Sequence, residues 1–297
     1  RLLCTVKSHY NLAKDAEITI EANPGTLDGQ KAESYISAGV NRFSLGMQSS
    51  SDKILKAIGR AHSHKDFVDA VNLLRLSGVK NISCDIMLGL PYQTSDDVKH
   101  TVNEILSLDI PHVSAYGLKA EKGTKLYEQA ETGQIILPDE DICADMYNYV
   151  VTEQKKHNLH RYEISNFAAA GYECRHNINY WRAGQYLGFG AAAHSYINNE
   201  RYCNVSDIKS YINGQTICEK TVLTKKEREF EYIMLNLRLA SGIDLREFKT
   251  MFNKDFLSAY SAQLNKFKDF FTVNSRSVSV NDRGFYVINS LLCEFMQ

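Results

Sequence analysis

The sequence predicts an α/β protein: a parallel β/α sheet, open or curled into a barrel, followed by a mainly helical, winged-helix-like C-terminal region. Three observations carry that expectation. Through residues 1–165, short apolar runs alternate with helix-patterned segments of crossover length, the order that produces right-handed βαβ units. Residues 166–193 then turn glycine- and aromatic-rich and lose long apolar periodicity, opening an irregular, loop-rich layer expected over 166–220. Residues 221–297 hold three helical segments, two short strands and a last helix.

Taken in order, residues 1–14 read as an amphipathic helix with no strand before it to cross over from. We therefore expect at least one further N-terminal β/α unit to belong to this fold. ITIEAN (18–23) alternates apolar and polar side chains and ends at Pro24 and Gly25, as a strand entering a turn does. Residues 28–38 are helix-compatible and stop at Gly39. RFSLGMQ (42–48) supplies a second strand and NISCDIMLGLP (81–91) a third, with helical stretches at 51–58 and 65–77 between them. A helix over 95–108, capped by Thr94 or Ser95, leads to the strand HVSAYGL (112–118). Residues 139–157 form a further helix and RYEIS (161–165) a fifth short strand.

The later region divides the same way. Residues 224–239 open with a TxxE capping signal at Thr224 and Glu227 and place Phe230, Ile233, Met234 and Leu237 on one face. Helices over 244–252 and 256–267 precede the strands FFTVN and SVSVN and a last helix near Ser290. Helices followed by a small hairpin suggest a winged helix. A DNA-reading role lacks support, because the net charge is only -1.

The totals exclude several classes. With 44% hydrophobic and 23% charged residues, the composition is that of a folded globular chain. No apolar run reaches the ~20 residues of a membrane span, and no secretory leader pattern opens the sequence. A cytoplasmic protein is expected. Seven cysteines lie at wide intervals without a CxxC pair, which fits free thiols, most of them buried, rather than a disulfide framework. Cys174 and His176 could chelate a metal, but no second pair matches them.

In parallel α/β folds ligands sit beyond the carboxyl ends of the strands. Glu21, Asn23, Gln48, Asp85 and Tyr116 stand late in their strands and make a candidate rim. The blander role for each is a buried polar group bonded to neighbouring backbone. HNINYW (176–181) is the other conspicuous cluster, and its residues fit neither strand nor helix patterning. It could brace a loop or present a ligand.

ITIEANPGT, AGVNRFSLGMQS, LKAIGRAH, CDIMLGLPYQT, YEISNFA and HNINYWRAGQYLGFGAAAHS, in this order, closely resemble the oxygen-independent coproporphyrinogen III oxidase-like branch of the radical S-adenosylmethionine proteins. Within that branch the likeness is best to the heme chaperones, and it covers essentially the whole chain. The resemblance implies a partial parallel β/α barrel holding S-adenosylmethionine beside a 4Fe-4S cluster. The family carries that cluster on a CxxxCxxC loop, which these 297 residues do not contain. The expected place for it, and for a glycine-rich strand end, is upstream of Arg1, so this chain should by itself perform no radical chemistry. Carried over residue by residue, Glu21, Gln48, Arg60 and Asp85 are expected around S-adenosylmethionine. His176 becomes a candidate heme ligand, with His194 second to it.

The resemblance thus implies binding of heme or porphyrin and delivery to hemoproteins, with no nucleic acid and no membrane span. Two other readings stand beside it. One is oxidative decarboxylation of coproporphyrinogen III propionates; the other is a β/α protein taking an unrelated nucleotide or sugar through Glu21, Gln48 and Asp85.

Overall fold

The computed structural model describes residues 1–296. The chain separates into two compact units that meet between Glu173 and Cys174.

The first unit contains α1 (Leu2–His9), β1 (Thr19–Ala22), α2 (Gly29–Ala38), β2 (Arg42–Gln48), α3 (Asp52–Ala57), α4 (His64–Leu76), β3 (Ile82–Leu88), α5 (Ser95–Ser107), β4 (His112–Gly117), α6 (Lys125–Glu131), α7 (Glu140–Lys156), β5 (His160–Arg161) and β6 (Asn166–Ala168). The six strands form one sheet in the order β1-β2-β3-β4-β6-β5. β1 to β4 run parallel, as their helical crossovers require. Local chemistry sets the helix boundaries. Ser63 and Thr94 each accept from the backbone of an aspartate three residues on, and that aspartate returns the bond, so α4 and α5 both open on capping boxes. α2 ends at Gly39, whose φ of 108° only glycine adopts without strain.

The fifth strand differs from the expectation. RYEIS contributes only its first residue to β5. Four residues separate β5 from β6, too few for a crossover, so the chain turns back on itself. β6 therefore inserts antiparallel between β4 and β5. Among the described residues the ladder ends at β1 and β5 and does not close.

The sheet has two chemically distinct faces. On one side Phe43, Leu45, Met47, Ile82, Cys84, Ile86, Val113, Ala115 and Phe167 are fully buried. They pack with Phe67, Val71 and Leu74 of α4, Val98, Val102 and Ile105 of α5, and Met146 and Val150 of α7 in one core. The alternate residues point the other way, and apart from Gly46 and Met87 they are polar. Two successive rows cross the sheet in register: Glu21, Ser44, Ser83 and His112, then Gly46, Asp85, Ser114 and Asn166. A parallel sheet covered by helices on both faces would have both sets apolar.

The second unit contains α8 (Arg175–Trp181), β7 (His194–Ile197), β8 (Glu200–Asn204), α9 (Ile208–Ile212), β9 (Ile217–Val222), α10 (Lys225–Asn236), β10 (Ile243–Asp244), α11 (Leu245–Phe252), α12 (Phe256–Ala259), α13 (Ser261–Lys266), β11 (Phe271–Val273), β12 (Ser277–Val280), α14 (Asp282–Phe285) and α15 (Ile288–Cys293). β7, β8 and β9 form an antiparallel meander. HNINYW, which matched no pattern, lies within α8. Seven residues are too few to display a period, and its two asparagines are weak helix formers.

From α10 onward the order is helix, strand, three helices (α11, α12 and α13), strand, strand, and with the sheet β10-β12-β11 this is a winged-helix-like arrangement whose third helical segment is broken in two. Thr224 and Glu227 close the expected capping box. The expected single helix over 256–267 is instead α12 and α13, because Tyr260 leaves helical geometry at φ -116°, ψ 22°. Its ring packs on Phe248, Phe256 and Phe295, in an aromatic core that also takes in Tyr232 and Phe252.

Candidate functional site

The polar rows cross the sheet from strand to strand; Glu21 and Gln48 stand late in β1 and β2, as expected, whereas Asp85, expected late in its strand, does not. Asp85 lies mid-strand in β3. Both its carboxylate oxygens accept from Ser44 Oγ, at 3.3 and 3.2 Å. Burial pushes its carboxyl above the usual range, with repulsion from Glu21 adding to that; bonds from Ser114 and Ser44 and the Arg42 guanidinium pull the other way. Glu21 pairs with Ser44 in register and is exposed, so two carboxylates share this part of the sheet.

Gln48 and Arg60 reach the site from different directions. β2 bulges between Gly46 and Gln48, and Gln48 takes a left-handed φ of 64°. A bulge re-aims the side chain it carries. The Gln48 amide consequently lies over Gly46: a Cβ built there would stand 2.9 Å from Gln48 Nε2 and 4.0 Å from Asn23 Oδ1. Gly46 therefore leaves a side-chain-free slot in the second polar row, over which the Gln48 and Asn23 amides lie. Arg60 arrives from the loop after α3 and donates to Asn23 Oδ1 at 2.9 Å. Glu21, Gln48, Arg60 and Asp85 thus surround one region, with Asn23 joining them. Tyr116, at the end of β4, is partly exposed; burial raises its phenol while Ser114 and Asn166 hydrogen-bond to it.

Four residues here escaped the sequence reading: Ser44, Ser114, Arg42 and His112. Arg42 is almost completely buried. His112 sits at the amino end of β4 between Ser83 Oγ (2.7 Å from Nδ1) and Tyr162 Oη (2.8 Å from Nε2). Burial first, then the Arg42 charge, lowers its pKa to about 3, so the imidazole is neutral. The available signal was parity: every second residue of 42–48, 83–87 and 112–116 is polar or glycine except Met87.

In the second unit His176 is exposed on α8. Its ring meets Tyr180 one turn on, edge to face at 4.5 Å, and Tyr180 meets Tyr186 in the same way at 4.5 Å. Tyr186 continues to Tyr196 at 6.4 Å. The Arg238 guanidinium lies 6.0 Å from the Trp181 ring centroid, and the ring that meets His176 is Tyr180. His194 lies on β7 opposite Cys203.

Residues 2–105 match the model of the Radical SAM superfamily and residues 223–287 that of the HemN C-terminal domain. The protein is therefore of the radical SAM class. The heme chaperone HemW of Lactococcus lactis is 34% identical over 301 residues, covering 100% of this chain and 79% of that protein. That of Bacillus subtilis is 40% identical over 244 residues, covering 80% of this chain and 64% of its own length. The chain belongs to the heme chaperone HemW family. Its fold is also that of coproporphyrinogen III oxidase (HemN) from Escherichia coli, with a TM-score of 0.83 over 100% of this chain and 73% of that one at 18% identity.

Proposed function

We propose that this chain binds S-adenosylmethionine over the Gly46 slot and heme beside α8, as part of a cytoplasmic protein that passes heme to hemoproteins. The observation that supports the first half is that Gln48 and Asn23 lie over Gly46, where β2 has no side chain, with Asp85 beside it in register, Arg60 bonded to Asn23, and Glu21 in the neighbouring row. The donor set suits the ligand. S-adenosylmethionine offers ribose hydroxyls and an amine to the carboxylates of Glu21 and Asp85, and a carboxylate to the Arg60 guanidinium or the Gln48 amide. When bound beside a reduced iron-sulfur cluster, it supplies a sulfonium carbon-sulfur bond that an electron can cleave.

The cluster itself does not fit the residues present. There is no CxxxCxxC, and among the described residues no three His, Cys, Asp or Glu side chains are placed to hold a metal ion. No step is assigned to this chain through the cluster.

The heme half rests on His176 within the Tyr180 and Tyr186 edge. Histidine is a common axial ligand, and aromatic edges pack against a macrocycle. Relatives named as heme chaperones at 34% and 40% identity support this reading over porphyrinogen oxidation. Heme titration followed by Soret absorbance tests it: His176→Ala should weaken binding by about tenfold or more, equivalent to ~1.4 kcal/mol. Unchanged affinity would remove His176 from the role. No conversion of coproporphyrinogen III is expected from this chain.

A further inference from the structure

The meander brings together two thiols that the sequence keeps 15 positions apart. Cys203 Sγ of β8 and Cys218 Sγ of β9 lie 2.8 Å from each other. Cys203 pairs in register with Glu219, so regular alternation would send the neighbouring Cys218 to the opposite face of the sheet. The register shifts between Cys203 and Asn204, because Asn204 pairs with Ile217 and leaves Cys218 as the extra residue. That bulge turns Cys218 back toward Cys203. Cys218 is exposed and Cys203 half-buried, whereas Cys84 is sealed in the core against Met47.

We propose that Cys203 and Cys218 form a reversible thiol-disulfide site that reacts with low-molecular-weight disulfides such as oxidised glutathione. Neighbouring strands stand about 4.7–4.9 Å apart, within the Cα separation a disulfide spans, and the sulfurs need approach by less than about 1 Å to reach bonding distance. Cys218, as thiolate, attacks one sulfur of the small disulfide and releases one thiol. Cys203 then loses its proton and attacks the Cys218 sulfur of the mixed disulfide, releasing the second thiol. Two protein thiols are oxidised by two electrons, and one small disulfide is reduced to two thiols. The new bond closes a loop over residues 204–217, which contains α9 and its exposed Ile208 and Ile212. The site stands independently of the heme reading.

The test uses the whole chain with oxidised glutathione, then alkylation and peptide mass mapping. The expected product has lost two alkylatable thiols and yields one linked peptide joining Cys203 to Cys218, reversed by dithiothreitol. Cys203→Ser should instead stop at a glutathione adduct on Cys218. The oxidised wild type should also resist protease within residues 205–216 relative to the reduced form. Full alkylation of both cysteines after oxidation would overturn the proposal, as would linkage to Cys4 or Cys293 in their place.

Discussion

Ser44 Oγ bridges both carboxylate oxygens of Asp85 across the β2–β3 ladder, so one hydroxyl orients the carboxylate that burial destabilises. The bond runs diagonally from the first polar row to the second.

Asp85→Asn should separate binding from stability. Because burial raises the folded-state pKa of Asp85, its contribution to stability is complete below the unfolded pKa and is lost as pH rises through the folded value. At pH 7.5, well above the unfolded value, the raised folded-state pKa therefore works against the folded state. The amide variant should melt higher at that pH, by about 2–4 °C for each kcal/mol relieved, while S-adenosylmethionine affinity measured by calorimetry falls. A lower melting temperature at pH 7.5 would contradict the assignment.

Gly46→Ala should keep the fold and damage the slot. The nearest obstacle to the methyl is the far end of the Gln48 side chain, which can move, so the melting temperature should shift little. S-adenosylmethionine binding should weaken several-fold, because the displaced amide and the methyl occupy the proposed ligand position. Equal affinity for wild type and variant would place the ligand elsewhere.

His112 should govern part of the acid sensitivity of the first unit. Its pKa is depressed to about 3, so the stability it gives is present above the unfolded value of about 6.5 and lost as pH falls through the folded one. Between those limits the unfolded chain gains a proton that the folded chain refuses, a slope of up to about 1.4 kcal/mol per pH unit. Denaturant titrations at pH 7.5 and 5 should therefore converge in His112→Gln. An unchanged pH dependence would locate the acid-sensitive group elsewhere.

Lys254→Met should destabilise the winged-helix region. Glu229 is buried and accepts from Lys254 Nζ at 2.8 and 2.7 Å and from Tyr260 Oη at 2.9 Å. Removing the lysine leaves a buried carboxylate with one hydroxyl as its partner. Because Lys254 is half exposed, the loss should be about 1–3 kcal/mol, below that of a fully buried pair. Chemical denaturation of the variant reads it, and Glu229→Gln in the Lys254→Met background should restore part.

Much of the parallel sheet was legible because each strand had a helix-patterned neighbour and a glycine, proline or capping signal at its border. The elements that escaped are short or depend on distant partners. β6 is placed by a four-residue return, α8 is barely two turns long, and the β7–β9 meander lacks an apolar face to read. The same holds for the site. Glu21, Gln48 and Asp85 stood out as polar groups late in strands, and Arg60 came from the resemblance. Ser44 and Ser114 look like ordinary strand residues until the register sets them beside Asp85. The thiol pair was illegible because only the bulge at Asn204 makes neighbours of residues 203 and 218. With Cys4, Cys218 and Cys293 exposed and only Cys84 and Cys174 buried, the expectation of mostly buried thiols did not hold.

The alternation that gives the sheet an apolar and a polar side also acts as a proofreading device during assembly. Sliding β3 by one residue would thrust Asp85 among Phe67, Leu74 and Val98 and turn Cys84 and Ile86 outward, exchanging the two sides of a strand at once. Such a mispaired strand loses its core and its chemistry together. The carboxylate proposed to hold the ligand therefore also penalises every odd-numbered misregistration, so the demands of binding and of folding select the same pairing.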